Sequence, residues 1–174
     1  MEHDRREFEL LIEGYTDRLY SIALRITGST QDAEDAIQDA VLSAYQGWTQ
    51  FRGEARGTTW LYRILVNAAL QHVRRRHSDE YLNATGYDTD AVVDWSEDLD
   101  RRVEDAALRE MLERGIALLP EELRVALVLR DVEGLSTTDA ASILDISEAA
   151  LKSRLHRARV LLRQWVPDQL SSSL

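Results

Sequence analysis

The stretch "LSTTDAASILDISEAALKSRLHRARVLLRQW", Leu135 to Trp165, decides the fold of the C-terminal part of the chain. It predicts a short helix that opens at Ser136 or Thr137, a break at "DIS" (145–147), and a longer helix over Glu148–Trp165. A short helix, a tight turn and a longer helix form the helix-turn-helix pattern. Small residues would let the two helices approach closely, and larger apolar residues would fill the angle between them: Ala140, Ala141, Leu144, Ile146, Leu151 and Leu155.

The second helix of this pattern is strongly basic. From Leu151 to Trp165 it carries five cations and no acid. A recognition helix presents its N-terminal side chains to base edges in the major groove, where Arg and Lys pair with guanine. The side chains predicted to face the bases are Lys152, Ser153, Arg154, His156 and Arg157. Arg159 and Arg163 lie further along the helix, where phosphate contacts are expected.

The basic helix taken alone also fits a solvated amphipathic helix, because a run of charges is usually that. The break and the small helix before it favour DNA binding instead. Asp145 stands at the turn, where glycine is common. Aspartate tolerates the left-handed conformation better than most residues, so this departure is a mild objection.

Charge is segregated along the chain. The 174 residues hold 21 Lys and Arg against 31 Asp and Glu, a net charge of -10. Residues 52–77 carry six arginines and one acid, a sum of +5, and residues 149–166 carry five cations and no acid. Between them, residues 78–110 hold eleven acids and three arginines, a sum of -8. The net charge argues against general affinity for nucleic acid, but two basic segments separated by an acidic one are more informative about partners.

The rest of the chain also predicts helices. Apolar residues at three-to-four spacing indicate helices over Glu7–Ile26, Asp32–Trp48, Thr58–Arg76 and Val103–Leu118, and a further helix over residues 120–134. No segment shows the steady alternation of a strand. The fold class predicted from these patterns is all-α.

Residues 78–103 break the helical pattern, since they are acidic, turn-rich and without steady periodicity. A loop of this length within one compact domain is uncommon. We therefore expect two small helical domains, residues 1–77 and residues 104–170, joined by this acidic linker.

Catalysis finds no support in the residue types present. The chain has no cysteine, which excludes disulfides, thiolate metal ligands and a cysteine nucleophile. It has no phosphate-binding glycine loop, its four histidines are scattered, and its carboxylates show no paired spacing. We therefore predict no enzyme, no metal and no cofactor. No apolar run reaches the roughly 20 residues of a membrane span, and no signal region opens the chain, so we predict a cytoplasmic protein.

Two long stretches carry a family resemblance. The stretch "DAEDAIQDAVLSAYQGWTQFRGEARGTTWLYRILVNAALQHVRRR" (32–76) closely resembles the sigma-2 domain of extracytoplasmic-function sigma factors. The stretch "LPEELRVALVLRDVEGLSTTDAASILDISEAALKSRLHRARVLLR" (119–163) resembles their sigma-4 domain. The resemblance implies a dissociable subunit of bacterial RNA polymerase that selects promoters, with sigma-2 in residues 1–77 and sigma-4 in residues 104–170.

The resemblance also implies where the -10 element of the promoter binds. Reading and opening that element needs a pocket for an unstacked base, an aromatic wedge and cations along the strand. The implied residues are Phe51, Trp60, Tyr62, Arg63, Asn67, Arg74, Arg75 and Arg76. Phe51 and Asn67 match family positions that line the base pocket. Trp60 also fits a core position, and the three consecutive arginines also fit a solvated helix end.

Contacts with the -35 element and with polymerase follow from the same resemblance. The implied -35 residues are Arg130, Lys152, Ser153, Arg154, His156, Arg157 and Arg159, with Arg130 as a phosphate contact. In the family, the helix that matches 32–47 docks on the clamp helices of polymerase. Asp35, Gln38 and Asp39 would offer acceptors there, although they also fit an ordinary solvated face.

The expected partners are core RNA polymerase and promoter DNA, and the resemblance adds an anti-sigma factor as a candidate regulator. The acidic linker would pass through a basic channel of the polymerase, where its charge would mimic nucleic acid. The main alternative is a stand-alone helix-turn-helix transcription regulator, which explains Thr137–Trp165 but leaves "FRGEARGTTWLYRILVN" unexplained. A third interpretation, an adaptor that binds only protein, conflicts with the cation clusters.

Overall fold

Helices form every regular element in the described residues, which are 2–51, 57–82 and 106–172 of the computed structural model. The prediction of an all-α fold is confirmed. The chain divides into two units, Met1–Val93 and Asp94–Leu174.

The N-terminal unit holds three α-helices, which all pack against one another. They are α1 (Glu2–Thr27), α2 (Thr30–Gly47) and α3 (Gly57–Leu82), and a 3-10 turn, Trp48–Gln50, follows α2. The buried side of α2 consists of alanines, whose small side chains let α1 and α3 come close. These are Ala33, Ala36, Ala40 and Ala44.

The connection between α1 and α2 is short and well capped. Gly28 has φ 67°, in the left-handed region where glycine costs least, and it ends α1. Ser29 caps α2, because its hydroxyl accepts a hydrogen bond from the Asp32 backbone N–H at 3.2 Å.

Helix α3 is longer than predicted. It continues to Leu82, five residues into the segment assigned to the linker. No glycine or proline follows Gly57 within α3, so nothing in residues 77–82 forces the helix to end. The remainder of the predicted linker, residues 83–103, lies outside the described residues.

The C-terminal unit is built around its last helix. It comprises α4 (Ala106–Leu118), α5 (Glu121–Leu127), α6 (Thr137–Leu144) and α7 (Glu148–Ser172), and α7 packs against each of the other three. One apolar core joins α4, α5 and α7. It is formed by Ile116, Leu119, Leu123, Leu127, Val128 and Ala158.

A π-helical turn, Val128–Val132, continues α5. The backbone N–H of Glu133 donates to the Val128 carbonyl at 2.9 Å, the five-residue spacing of a π turn. Gly134, with φ 70°, then reverses the chain. The sequence predicted this end at Gly134 but a single α-helix before it.

The helix-turn-helix predicted from Leu135–Trp165 is present. Ser136 caps α6 by accepting from the Asp139 N–H at 3.0 Å. Asp145 ends α6 in the left-handed conformation, φ 53° and ψ 46°, and the N–H of Ile146 donates back to the Ala141 carbonyl at 3.1 Å. Asp145 thus adopts the left-handed conformation, which aspartate tolerates better than most residues, at a position where glycine is common.

Candidate nucleic-acid interface

One exposed polar stripe runs along α3. Its residues are spaced three or four apart, so they share one face of the helix. They are Arg63, Asn67, Gln71, Arg74 and Ser78, all exposed. The opposite face is buried in the bundle. Arginines therefore flank an asparagine whose amide can both donate to and accept from a base edge.

Aromatic rings gather around the start of α3. Phe51 stacks on Trp48 with ring centroids 5.6 Å apart and an interplanar angle of 16°. Trp60 lies 5.0 Å from Phe51 and 6.0 Å from Trp48. Both Phe51 and Trp60 are half-buried, so each ring packs on a neighbour and also reaches the surface. The alternatives stated for Trp60, core residue or DNA contact, therefore do not exclude each other.

Two residues predicted to contact DNA serve the packing of the N-terminal unit. Tyr62 exposes 2% of its surface and lies edge-on to Tyr15, with centroids 6.2 Å apart. Arg76 forms an ion pair with Asp32 at 2.6 Å and donates to the Thr27 carbonyl at 2.8 Å. A ring in the core cannot stack on a base, and a guanidinium held at the α1–α2 turn is not directed at a phosphate. Both side chains therefore have a structural role here, and their contact with DNA stays a prediction.

The face of α2 assigned to polymerase is exposed and carries Asp35, Gln38 and Asp39. The Asp39 carboxylate lies 2.8 Å from His72 Nε2 of α3, yet 56% of its side chain remains exposed. Asp39 therefore bridges α2 to α3 while still facing solvent.

An apolar groove lies beside these polar side chains. It is lined by Phe8, Ile37, Gln38, Val41, Leu42 and Tyr45. Leu42 and Tyr45 are 58% and 54% exposed. This groove was not predicted from the sequence, although the buried stripe of α2 is all alanine and Leu42 falls on the opposite side of the helix from Ala40.

The recognition helix α7 presents four of the predicted -35 residues together. Leu151, Leu155 and Ala158 are buried against the rest of the unit. The side chains on the other side are exposed, and we refer to them as the reading face of α7: Lys152, Ser153, His156 and Arg157. Their spacing of one, three and one residues keeps them on one side of the helix.

Two further arginines of α7 contact acids of the same unit. Arg154 lies 3.5 Å from Glu122, and its side chain is 23% exposed. Arg159 binds Asp131 of the π turn with both arms of its guanidinium, Nε to Oδ2 at 2.8 Å and Nη2 to Oδ1 at 2.7 Å. These hydrogen bonds to Asp131 raise the pKa of Arg159 above the ordinary arginine value. Arg130, the remaining predicted -35 residue, is half-buried in the π turn.

Two sequence families match the chain, one in each unit. The family described as Sigma-70 region 2 matches residues 11–78, and Sigma-70, region 4 matches residues 109–162. The ECF RNA polymerase sigma factor SigW of Bacillus subtilis is 31% identical over 171 residues, which is 95% of this chain and 91% of SigW. The chain belongs to the ECF RNA polymerase sigma factors.

Other relatives of this sigma factor agree. SigM of Mycobacterium tuberculosis is 37% identical over 159 residues, 91% of this chain and 76% of that one. The sigma-E factor of Escherichia coli K12 is 33% identical over 162 residues, 90% of this chain and 84% of that one.

Solved structures share the fold. The sigma factor RpoE in complex with the anti-sigma factor NepR from Bartonella quintana matches with a TM-score of 0.76 at 22% identity, covering 93% of this chain and 98% of that one. CnrH in complex with the cytosolic domain of CnrY matches with a TM-score of 0.68 at 22% identity, covering 94% of this chain and 90% of that one.

The two sets of predicted promoter contacts fall in the two matched sigma regions. The α2 face, the aromatic cluster and the α3 stripe lie within residues 11–78, and the π turn and the reading face lie within 109–162. Sigma factors are non-catalytic initiation factors. In the part of the chain that the structure describes, no three His, Asp or Glu side chains could hold a metal ion. No helix there is long and apolar enough to cross a membrane.

Proposed function

We propose that this sigma factor uses its two units for two promoter elements and does so while bound to core RNA polymerase. The N-terminal unit contacts and opens the -10 element, and the C-terminal unit reads the -35 element. The observation that carries the proposal is the reading face of α7, exposed on the second helix of a helix-turn-helix within the matched region 4. The α3 stripe in region 2 is its counterpart for the -10 element.

At the -10 element, the aromatic rings and the α3 stripe have separate tasks. The half-buried rings of Phe51 and Trp60 offer flat surfaces on which an unstacked base can rest, and stacking of this kind contributes about 1–3 kcal/mol per base. The Asn67 amide supplies a donor and an acceptor for a base edge. Arg63, Arg74 and Arg75 are exposed and supply the charge that holds the strand backbone. Tyr62 and Arg76 are not part of this set.

At the -35 element, the reading face of α7 enters the major groove. Lys152 and Arg157 can pair with the acceptor edge of guanine, while Ser153 bonds to either donor or acceptor. The helix-turn-helix places these side chains at the N-terminal end of α7, where a recognition helix meets base edges. Arg130 in the π turn is a phosphate contact in this proposal.

Polymerase binds the exposed face of α2. Asp35, Gln38 and Asp39 supply acceptors for basic groups, and the adjoining groove supplies apolar area. Burying one large apolar side chain such as Leu42 stabilises an interface by about 2 kcal/mol. The face therefore suits a partner surface that combines cations with apolar side chains.

An anti-sigma factor and a cytoplasmic location complete the proposal. Two solved structures that share this fold are complexes, one with the anti-sigma factor NepR and one with the cytosolic domain of CnrY. A chain that works on RNA polymerase acts where the polymerase is, in the cytoplasm, and no catalytic activity of its own is needed. The proposed domains are residues 1–77 and 104–170 with a linker over 78–103, and α3 continues five residues into that linker, to Leu82.

Run-off transcription from a promoter library with core polymerase tests the proposed function. We expect wild-type chain to select a defined subset of promoters. Asn67→Ala should retain promoter binding but lose permanganate reactivity at the -10 element, because the base-reading amide is gone. Lys152→Ala should weaken discrimination at the -35 element.

The matched controls are Glu13→Gln on α1 and Gln164→Ala on α7, both at exposed positions outside the proposed contacts. Both should transcribe like wild type. Transcripts that do not depend on the added chain would contradict the proposal. Sequence-specific binding of promoter duplex by the chain without polymerase would favour a stand-alone helix-turn-helix regulator instead.

A further inference from the structure

The recognition helix is fastened to the segment that precedes α6 by two ion pairs. Arg154 pairs with Glu122 near the start of α5, and Arg159 pairs with Asp131 in the π turn that continues it. The first pair is single and its nearest atoms are 3.5 Å apart. The second uses two parallel hydrogen bonds at 2.7 and 2.8 Å, the fork arrangement that adds direction as well as strength.

The Arg159 pair is placed where it can control the rotation of α7. Arg159 follows Lys152 by seven residues, two helical turns, so the two side chains lie in nearly the same row about 10 Å apart along the axis. The buried contacts of Leu151, Leu155 and Ala158 hold one side of α7, but apolar packing has no preferred direction. The planar Arg159–Asp131 fork does have a preferred direction. It acts on the row of side chains that contains Lys152.

The π turn sets the position of Asp131. Its wider ring is closed by the hydrogen bond from the Glu133 N–H to the Val128 carbonyl at 2.9 Å, and the Leu135 N–H donates to the Leu129 carbonyl at 3.1 Å. Single π turns inside α-helices occur frequently at functional sites. Here the π turn presents the Asp131 carboxylate, which is 31% exposed, to Arg159 of the recognition helix, 28 residues later in the sequence.

We infer that Asp131 is a positioning residue for recognition of the -35 element: through Arg159 it fixes the rotation and register of α7, so that the reading face meets the base edges. This inference rests on the proposed function. It also changes the proposed role of Arg159 from a phosphate contact to a positioning residue, because its Nε–H and one Nη2–H are engaged by Asp131.

The two roles of Arg159 predict opposite results when Asp131 loses its charge. If Arg159 held a phosphate, Asp131 would compete with the DNA, and Asp131→Asn would raise affinity for every promoter and steepen its salt dependence. If the pair positions α7, Asp131→Asn loosens the reading face and lowers the preference for the correct -35 sequence. Arg159→Lys separates the roles again, because it keeps the charge and loses the fork.

The experiment uses holoenzyme assembled from core polymerase and the full chain. The probes are a promoter duplex selected from a randomised -35 library by wild-type holoenzyme, and versions of it with one -35 base pair changed. The measured quantity is the ratio of affinities for the selected and changed duplexes, at salt concentrations from about 50 to 200 mM. An inactive fraction of a variant lowers both affinities alike and cancels in the ratio.

We expect Asp131→Asn and Arg159→Lys each to reduce this ratio by about tenfold, the order of one well-aligned base contact, with little change in the salt slope. Gln164→Ala, at an exposed position of the same helix outside the proposed contacts, is the control and should leave the ratio unchanged. Higher affinity with an unchanged ratio in Asp131→Asn, or a wild-type ratio in Arg159→Lys, would overturn the inference alone. Failure of wild-type holoenzyme to enrich any sequence would overturn the proposed function and the inference with it.

Discussion

Gly115 on α4 faces α7 at close range. A Cβ at this position would lie 2.8 Å from Leu162 Cδ2 and 3.0 Å from Trp165 Cε3. The leucine end can shift, but the indole ring is rigid and packed, so we expect Gly115→Ala to destabilise the C-terminal unit by about 1–3 kcal/mol. Hydrogen exchange of peptides from α4 and α7 measures this change within the full chain.

Gly14→Ala on α1 is the matched control, since nothing lies within 4 Å of the added methyl group. There the substitution should stabilise its helix by about 1 kcal/mol, because alanine has the higher helix propensity. Equal protection of α4 and α7 in Gly115→Ala and wild type would show that the approach of the two helices does not depend on glycine.

Asp145 is the one non-glycine residue with a positive φ in the described part of the chain. A β-branched residue there should cost about 1–2 kcal/mol, because its Cβ crowds the backbone in the left-handed region. We expect Asp145→Val to lower the unfolding midpoint of the C-terminal unit and Asp145→Gly to keep or raise it. The comparison of the two variants by thermal unfolding decides the point, and equal midpoints would contradict it.

Single residues differ in how far the sequence predicted them. The left-handed turn at Asp145 could be anticipated because the break lies between two periodic segments and aspartate tolerates that geometry. The buried place of Tyr62 could not, since a tyrosine next to Trp60 and Arg63 has the composition of a nucleic-acid surface. Its ring is buried because Tyr15 of α1 covers it, which is a tertiary contact that local sequence does not encode.

At the scale of elements, two polar bridges join α2 to α3. Asp32 of α2 pairs with Arg76 of α3. Asp39 of α2 contacts His72, which lies one helical turn before Arg76 on α3. Arg76 also donates to the Thr27 carbonyl at the end of α1, so it ties all three helices. We expect Arg76→Gln to lower the free energy of unfolding of the N-terminal unit by about 1–2 kcal/mol, the scale of hydrogen bonds to a charged group.

Arg75→Gln is the matched control for this prediction, because Arg75 is the exposed neighbour in the same run of arginines. It should change stability by less than about 0.5 kcal/mol. In transcription the order should reverse, with Arg75→Gln weakening promoter binding and reducing the dependence of its affinity on salt. If the two variants unfold alike in a denaturant titration, Arg76 does not have the structural role assigned to it.

The helices themselves were largely predictable, and their details were not. Apolar spacing located α2, and the Ser136 cap located the start of α6, because both signals are local. The π turn after α5 was missed, since its wider hydrogen-bond ring leaves the apolar pattern of Val128–Val132 unchanged. The exposed groove on α2 was also missed. Apolar spacing alone assigns every apolar residue of the helix to the core, and only the positions of the alanines show which side is buried.

At the scale of the whole molecule, charge is divided by task. The chain has a net charge of -10, yet the α3 stripe presents Arg63 and Arg74 and the reading face of α7 presents Lys152 and Arg157, all exposed. The sequence predicted this division from the counts of charge along the chain, and it predicted the family from the motifs in each half. It could not separate the cations that we propose face DNA from those held by Asp32, Glu122 and Asp131, because all of them occur in the same basic runs.

An acidic chain with small basic faces should bind DNA weakly when free, since each phosphate contact makes affinity fall with salt and the rest of the chain repels the strand. The most direct test is fluorescence anisotropy of a labelled promoter duplex at physiological salt with chain alone, core polymerase alone, and both together. The account predicts sequence-specific binding only in the mixture, together with measurable association of chain and core. Failure of the purified chain to associate with core polymerase, or equal promoter binding by the chain alone, would contradict it.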